Sequence, residues 1–283
     1  MALLRGQQPR PRPERARQGH LPGRHRPVPA AGGKRDPVSD LDRSVIFLDN
    51  DGVLTDADAH HVAYCRRYGE LMAARFGGPA EAWGQANSAA FHTMMQWYEA
   101  NVARYTDASF FEALYQVELE AAFEHMGLAP PDWQTGGRLL MGRLLYECPL
   151  HACALFPGAR EAVEALAAAG HRLCMASNAH SLHCEGVLSG CGLRNHFICA
   201  FGPDLVNCAT KSPDFYRRLC AHIGVHPEQA IVVDDNAAPL AMAAEIGLRT
   251  VLVGAGGGAP DVRIVSLAEL PDLVTESVRR PAR

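Results

Sequence analysis

Short apolar runs recur along this chain, and helical stretches lie between them. The runs "SVIFLD" (44–49), "RLCMAS" (172–177), "ICAF" (198–201), "AIVVDD" (230–235) and "TVLV" (250–253) read as buried strands. The stretches "AREAVEALAAAG" (159–170) and "PLAMAAEIG" (239–247) read as helices, each closed by a glycine that can take up a left-handed conformation. Strands that alternate with helices build a parallel sheet covered on both faces. The expected fold is therefore α/β, a Rossmann-like parallel sheet, with its strands in 44–57 and 148–275.

One long piece breaks the alternation. Residues 58–147 show helix signals and no clear strand, and they hold 14 of the 20 aromatic residues. The best segment is "TDASFFEALYQVELEAAFEHMG" (106–127). Thr106 or Asp107 is placed to cap it, apolar residues recur at three- and four-residue spacing, and Gly127 ends it. The piece is expected to be an inserted all-helical domain with an aromatic core of its own.

Composition narrows the function classes. With 283 residues, 48% of them hydrophobic, the chain can bury a full core in about two domains. No apolar run approaches the roughly 20 residues of a membrane helix. Residues 1–43 carry ten Lys/Arg and four acids amid many Pro and Gly, and are expected to form a disordered basic tail without a site group. The remainder carries a net charge of −10, which argues against nucleic acid as a partner. Residues 276–283 read as a C-terminal tail. Nine cysteines without a CxxC pair suit a reducing cytoplasm better than a disulfide framework.

The strand ends carry the chemistry. In a parallel α/β sheet, ligands sit beyond the carboxyl ends of the strands. Asp49 ends the first strand, with Asp51 two residues on. Ser177 ends "RLCMAS", followed by Asn178, and Asp234 and Asp235 end "AIVVDD". Lys211 lies in the loop "NCATKSPDFY" after "ICAF". Carboxylates gathered in this way repel one another unless a cation joins them. Mg²⁺ suits oxygen ligands and keeps waters that a phosphate can replace. Lys211 supplies a positive charge for phosphate oxygens, and Ser177 with nearby backbone N–H groups can hydrogen-bond the same anion. The chain has 25 arginines but only two lysines, Lys34 and Lys211, so a compact ammonium at this position stands out against its own composition.

Asp49-Asn-Asp51-Gly-Val, Ser177, Lys211 and Asp234-Asp235 resemble the four motifs of the haloacid dehalogenase superfamily, in their order. The segment "LFPGAREAVEALAAAGHRLCMASN" is similar to the lead into the second motif. The resemblance implies a Rossmann-like core with a helical cap, here 58–147, inserted after the first motif. It implies a Mg²⁺-dependent phosphatase for a small phosphorylated metabolite. Asp49 would be the nucleophile that forms an aspartyl-phosphate and would also touch the metal. Asp51 would be the acid and base, binding the metal through its carbonyl. Ser177, Asn178 and Lys211 would hold the phosphoryl group. Asp235 would ligate Mg²⁺, with Asp234 as a second ligand or an outer partner.

Other branches of the family are weighed on the same residues. The dehalogenases lack the second carboxylate of the first motif, which is present here as Asp51. The phosphonate-cleaving branch needs a cap lysine, and residues 58–147 contain none. A phosphomutase and a non-catalytic relative that binds a phosphorylated ligand remain as alternatives. "HSLHC" (180–184) reads as a helix start after Ser177 rather than a zinc site. His60 and His61 either contact substrate or form a solvated first helical turn. "GAGGG" (254–258) reads as a loop.

Overall fold

A computed structural model describes residues 44–279, with side chains to residue 275. The tail expected over 1–43 lies outside the described residues. Six strands form one parallel sheet: β1 (Val45–Leu48), β2 (Arg172–Ala176), β3 (Phe197–Phe201), β4 (Ala230–Asp234), β5 (Arg249–Val253) and β6 (Val262–Ile264). Their order is β3-β2-β1-β4-β5-β6, every pair parallel. β1 is central, and its residues alternate between two cores. Ile46 and Leu48 pack with Ala162, Val163 and Leu166 on one face. Val45 and Phe47 pack with Phe215, Tyr216 and Leu219 on the other. Burial on both faces is why the strand is uniformly apolar.

Four helices follow β1 directly in the chain: α1 (Ala57–Phe76), α2 (Ala80–Asn101), α3 (Ser109–His125) and α4 (Arg138–Leu150). They share a separate cluster built on Tyr68, Trp83, Phe110 and Phe123. α3 begins at Ser109, later than the capping signal at Thr106 or Asp107 implies. Asp107 nevertheless holds the entry, accepting from Ser109 N at 3.0 Å. The chain leaves and rejoins the sheet at a single crossing. Asp56 N donates to Ala154 O and Phe156 N to Leu54 O, so the outgoing and returning strands run side by side.

The covering helices are α5 (Ala159–Ala168), α6 (Ser181–Gly190), α7 (Pro213–Ile223), α8 (Ala237–Ala244) and α9 (Leu270–Arg279). α9 continues through residues read as the start of a C-terminal tail. α4 and α6 touch closely, and glycine permits it: a Cβ on Gly186 would lie 2.6 Å from the Tyr146 carbonyl oxygen. Cys153 and Cys191 form a disulfide, while the other seven cysteines are free. That bridge departs from the expectation of reduced cysteines. Its partners are 38 residues apart and meet only because the segment after α4 passes the end of α6.

Candidate active site

Four chain segments converge at the carboxyl ends of β1, β2 and β4. Asp49 extends β1, its N–H donating to Val233 O at 2.9 Å, so the sheet itself fixes its position. The next residues make a tight turn in which Leu54 N and Thr55 N both donate to Asn50 O. Gly52 takes φ +78° there, and a Cβ at that position would run into the Asp235 carboxylate. The turn thus needs glycine for its backbone and again for its neighbour. Asp51 points back into the turn. Its Oδ1 accepts from Thr55 Oγ1 at 3.1 Å and from Asn50 Nδ2 at 3.0 Å.

Ser177 is buried at the end of β2, and its Oγ accepts from Ala179 N at 3.2 Å. Asn178 holds the neighbouring loop. Its Oδ1 accepts from Lys211 N and from Thr210 Oγ1, each at 2.9 Å, which draws the Lys211 loop against β2. The Lys211 ammonium reaches Asp234 Oδ2 at 2.7 Å and Asp49 Oδ1 at 3.0 Å. Asp234 is buried, and its Oδ1 accepts from Asn236 N at 2.9 Å. Asp235 is exposed beside it.

The charges do not balance. Lys211 is the one ammonium facing Asp49, Asp51, Asp234 and Asp235 among the described residues. Burial disfavours the Lys211 charge, but Asp49, Tyr216 and Asp234 hold its pKa above the ordinary lysine value. Burial pushes Asp49 up to about 7 against the lowering pull of Lys211. Asp235 is raised by burial and then by Asp234. Oxygens of Asp49, Asp234 and Asp235 lie within 4.8 Å of one another, and the buried Asp49 Oδ1 has only the Lys211 ammonium beside it. An all-oxygen donor set with excess negative charge fits a hard divalent cation.

A cavity of about 590 Å³ opens above these residues, walled by α1, α2 and α3. Asp49, Asp51, Ser177 and Asn178 line its floor. Lys211, Asp234 and Asp235 do not line it; Lys211 meets Asp49 at its edge and Asp234 beneath it. His60 and His61 both face the cavity, and His60 is buried, its Nδ1 2.7 Å from Ala152 O. They are not a solvated turn. The "HSLHC" side chains diverge: His180 caps α6, His183 lines the cavity, and Cys184 is in the core.

Three wall residues, Asn87, Tyr98 and Glu118, were not legible as site groups in the sequence. Tyr98 on α2 spans to the sheet, its hydroxyl 3.0 Å from Thr210 Oγ1 and accepting from Asn178 Nδ2 at 3.1 Å. Glu118 on α3 is buried, and Asn87 Nδ2 donates to its Oε1 at 3.3 Å. A signal for Glu118 existed, since it falls in the apolar stripe Leu114, Tyr115, Leu119, Ala122.

The family model described as haloacid dehalogenase-like hydrolase matches residues 44–247. A phosphoglycolate phosphatase of Chromobacterium violaceum is 28% identical over 149 residues, 51% of this chain and 67% of that protein. One of Rhodospirillum rubrum is 31% identical over 108 residues, 38% of this chain and 45% of that protein. Among solved structures, the L-2-haloacid dehalogenase of Xanthobacter autotrophicus with chloropropionic acid covalently bound superposes with a TM-score of 0.55 at 18% identity. That match covers 82% of this chain and 98% of the other. No helix of the described residues is long and apolar enough to cross a membrane.

Proposed function

The chain belongs to the haloacid dehalogenase-like hydrolases, and we propose that it is a phosphatase of that family, using Mg²⁺ and an aspartyl-phosphate on Asp49 to hydrolyse a small phosphorylated metabolite. The observation that carries this reading is the Lys211 ammonium, buried between Asp49 and Asp234 beside a cavity floor. A buried cation next to a carboxylate nucleophile serves an incoming anion. The names of the two relatives support the same substrate class.

Asp49 attacks phosphorus, and the ester oxygen leaves. Asp51 supplies the proton to that oxygen. Both hydrogen bonds to Asp51 use Oδ1, so Oδ2 is the atom that carries the proton. Asp51 then takes a proton from the water that attacks the phosphorylated Asp49 and frees phosphate. Splitting the displacement into two steps is how a carboxylate nucleophile lowers a barrier too high for water alone. Ser177 Oγ–H and Lys211 hold the phosphoryl oxygens, and Asn178 positions the Lys211 loop through its side chain. The presence of Asp51 favours phosphate over halide as the leaving chemistry, because a departing halide needs no proton.

Asp49, Asp235 and the Asp51 carbonyl would hold Mg²⁺. Asp234 already gives one oxygen to Lys211 and the other to Asn236 N–H, so it serves better as the partner that orients Lys211. When bound, the ion supplies charge that offsets the carboxylates and the phosphoryl oxygens. The test is aryl phosphate hydrolysis after exhaustive chelation. Activity should vanish and return with added Mg²⁺; full turnover without divalent metal would end the metal assignment. A phosphomutase would instead return the phosphoryl group to a sugar phosphate, and release of free phosphate distinguishes the two.

A further inference from the structure

The cavity above Asp49 has a wall whose chemistry is unusual for a site that receives an anion. Among the described residues, no Arg or Lys lines it. Its charged groups are acids: Asp49, Asp51 and Asp58 at one end, and Glu118 buried in the helical wall. Burial pushes His183 down to about 3, and burial lowers His61 as well. The rest of the wall is mostly aromatic, thioether and aliphatic, with Tyr64, Tyr98, Tyr115, Phe91 and Phe111 among the lining side chains and Asn87 beside Glu118.

Glu118 is the outlying group. It accepts one hydrogen bond, from Asn87, and has no ion-pair partner among the described residues. A carboxylate left in an apolar wall costs free energy unless a cation or donor meets it. Its own position bears this out, since burial raises its pKa to about 7. Aromatic faces around a carboxylate attract cations by their quadrupoles as well.

The geometry points to a cationic leaving group: the substrate is a phosphomonoester of an amino alcohol, its ammonium seated between Glu118 and the surrounding aromatic rings. This rests on the phosphatase reading above and adds the class of alcohol. The phosphoryl end meets Asp49, Ser177 and Lys211, while the opposite charge of the ammonium meets the acidic wall. A second carboxylate, as in phosphoglycolate, would find no Arg or Lys among the lining residues and would face Glu118 as a like charge. A polyol could meet Asn87 or the tyrosine hydroxyls but would bring no charge to Glu118. The names of the two relatives therefore do not carry over to the alcohol. The ammonium takes no part in bond breaking: the P–O bond is cleaved as before, and the amine leaves unchanged on its alcohol.

The experiment compares ω-aminoalkyl, ω-hydroxyalkyl and ω-carboxyalkyl phosphates of matched and increasing chain length, with para-nitrophenyl phosphate as the control for chemistry. At the best length the amine should exceed the hydroxyl ester in kcat/KM by about 10–100-fold, the range expected of one charge-assisted contact with aromatic support. In Glu118→Gln, which keeps volume and the Asn87 hydrogen bond, the amine-to-hydroxyl ratio should collapse towards unity. Preference for the hydroxyl or carboxyl ester at every length overturns the proposal, as does an amine preference that survives Glu118→Gln. The wild-type ranking stands without the variant. A binding arm separates the two readings, using calorimetry of the same esters on Asp49→Asn. Selective amine binding without turnover of any ester would defeat the phosphatase and keep the cation pocket. Turnover of the aryl phosphate without amine selectivity in either arm would do the reverse.

Discussion

Lys211 Nζ and Asp234 Oδ2 meet at 2.7 Å with both side chains almost fully buried. A pair this deep gains little over apolar residues but is costly to break, because one partner is left charged and alone. Lys211→Met should therefore abolish measurable turnover and also lower stability by about 3–5 kcal/mol. Adding Asp234→Asn should restore part of the stability and none of the activity. Denaturant midpoints for the two single variants and the double variant measure the coupling.

Asp49 and Asp51 should separate cleanly in trapping experiments. Asp49→Asn is expected to form no phosphoenzyme. Asp51→Asn should lose about 10²–10⁴ in rate with alkyl esters. With an aryl phosphate, whose leaving group needs little protonation, it should still phosphorylate Asp49 and then stall. Acid-quenched mass spectrometry should find one phosphoryl group on the peptide holding Asp49 in the Asp51 variant. The same adduct in Asp49→Asn would falsify the assignment of the nucleophile.

Glu118 sets a pH dependence of stability. Its pKa rises from 4.5 to about 7 on folding, through burial. The folded state binds that proton more tightly, so the contribution is full below pH 4.5 and is lost as pH rises through about 7. The shift corresponds to about 3 kcal/mol at most. Glu118→Gln should gain stability over wild type at pH 8 and lose that advantage at pH 5. Melting curves at the two values check the sign, and equal differences at both would contradict it.

Gly52→Ala should damage the site while leaving the fold. The φ of +78° disfavours any side chain, and the new methyl would displace the Asp235 carboxylate. The variant should need a higher Mg²⁺ concentration for half-maximal activity and show reduced kcat. Unchanged Mg²⁺ dependence would mean that Asp235 is not placed by Gly52.

Much of the fold was legible because its signals are local. The apolar runs at 44–49 and 230–235 announce strands buried on both faces, and the acids that close them announce the site edge. β6 was missed because three residues after a glycine-rich loop carry no periodicity. The Cys153–Cys191 pair was missed because nothing in the spacing of cysteines encodes which two will meet. His60 and His61 stayed ambiguous until the packing of α1 was known.

The sequence by itself determined that a parallel sheet would gather Asp49, Asp51, Ser177, Lys211, Asp234 and Asp235 along its carboxyl edge. Strand direction and chain order suffice for that. It also determined that an aromatic helical piece would follow the first strand. Only the tertiary structure decided which partner each group takes. Lys211 pairs with Asp234 as well as Asp49, Asn178 turns its side chain to the Lys211 loop and to Tyr98, and Glu118 faces a cavity without a counter-ion among the described residues. Such pairings depend on ångström-scale packing between residues far apart in the chain, such as Tyr98 and Asn178 across 80 positions. No local pattern carries that information.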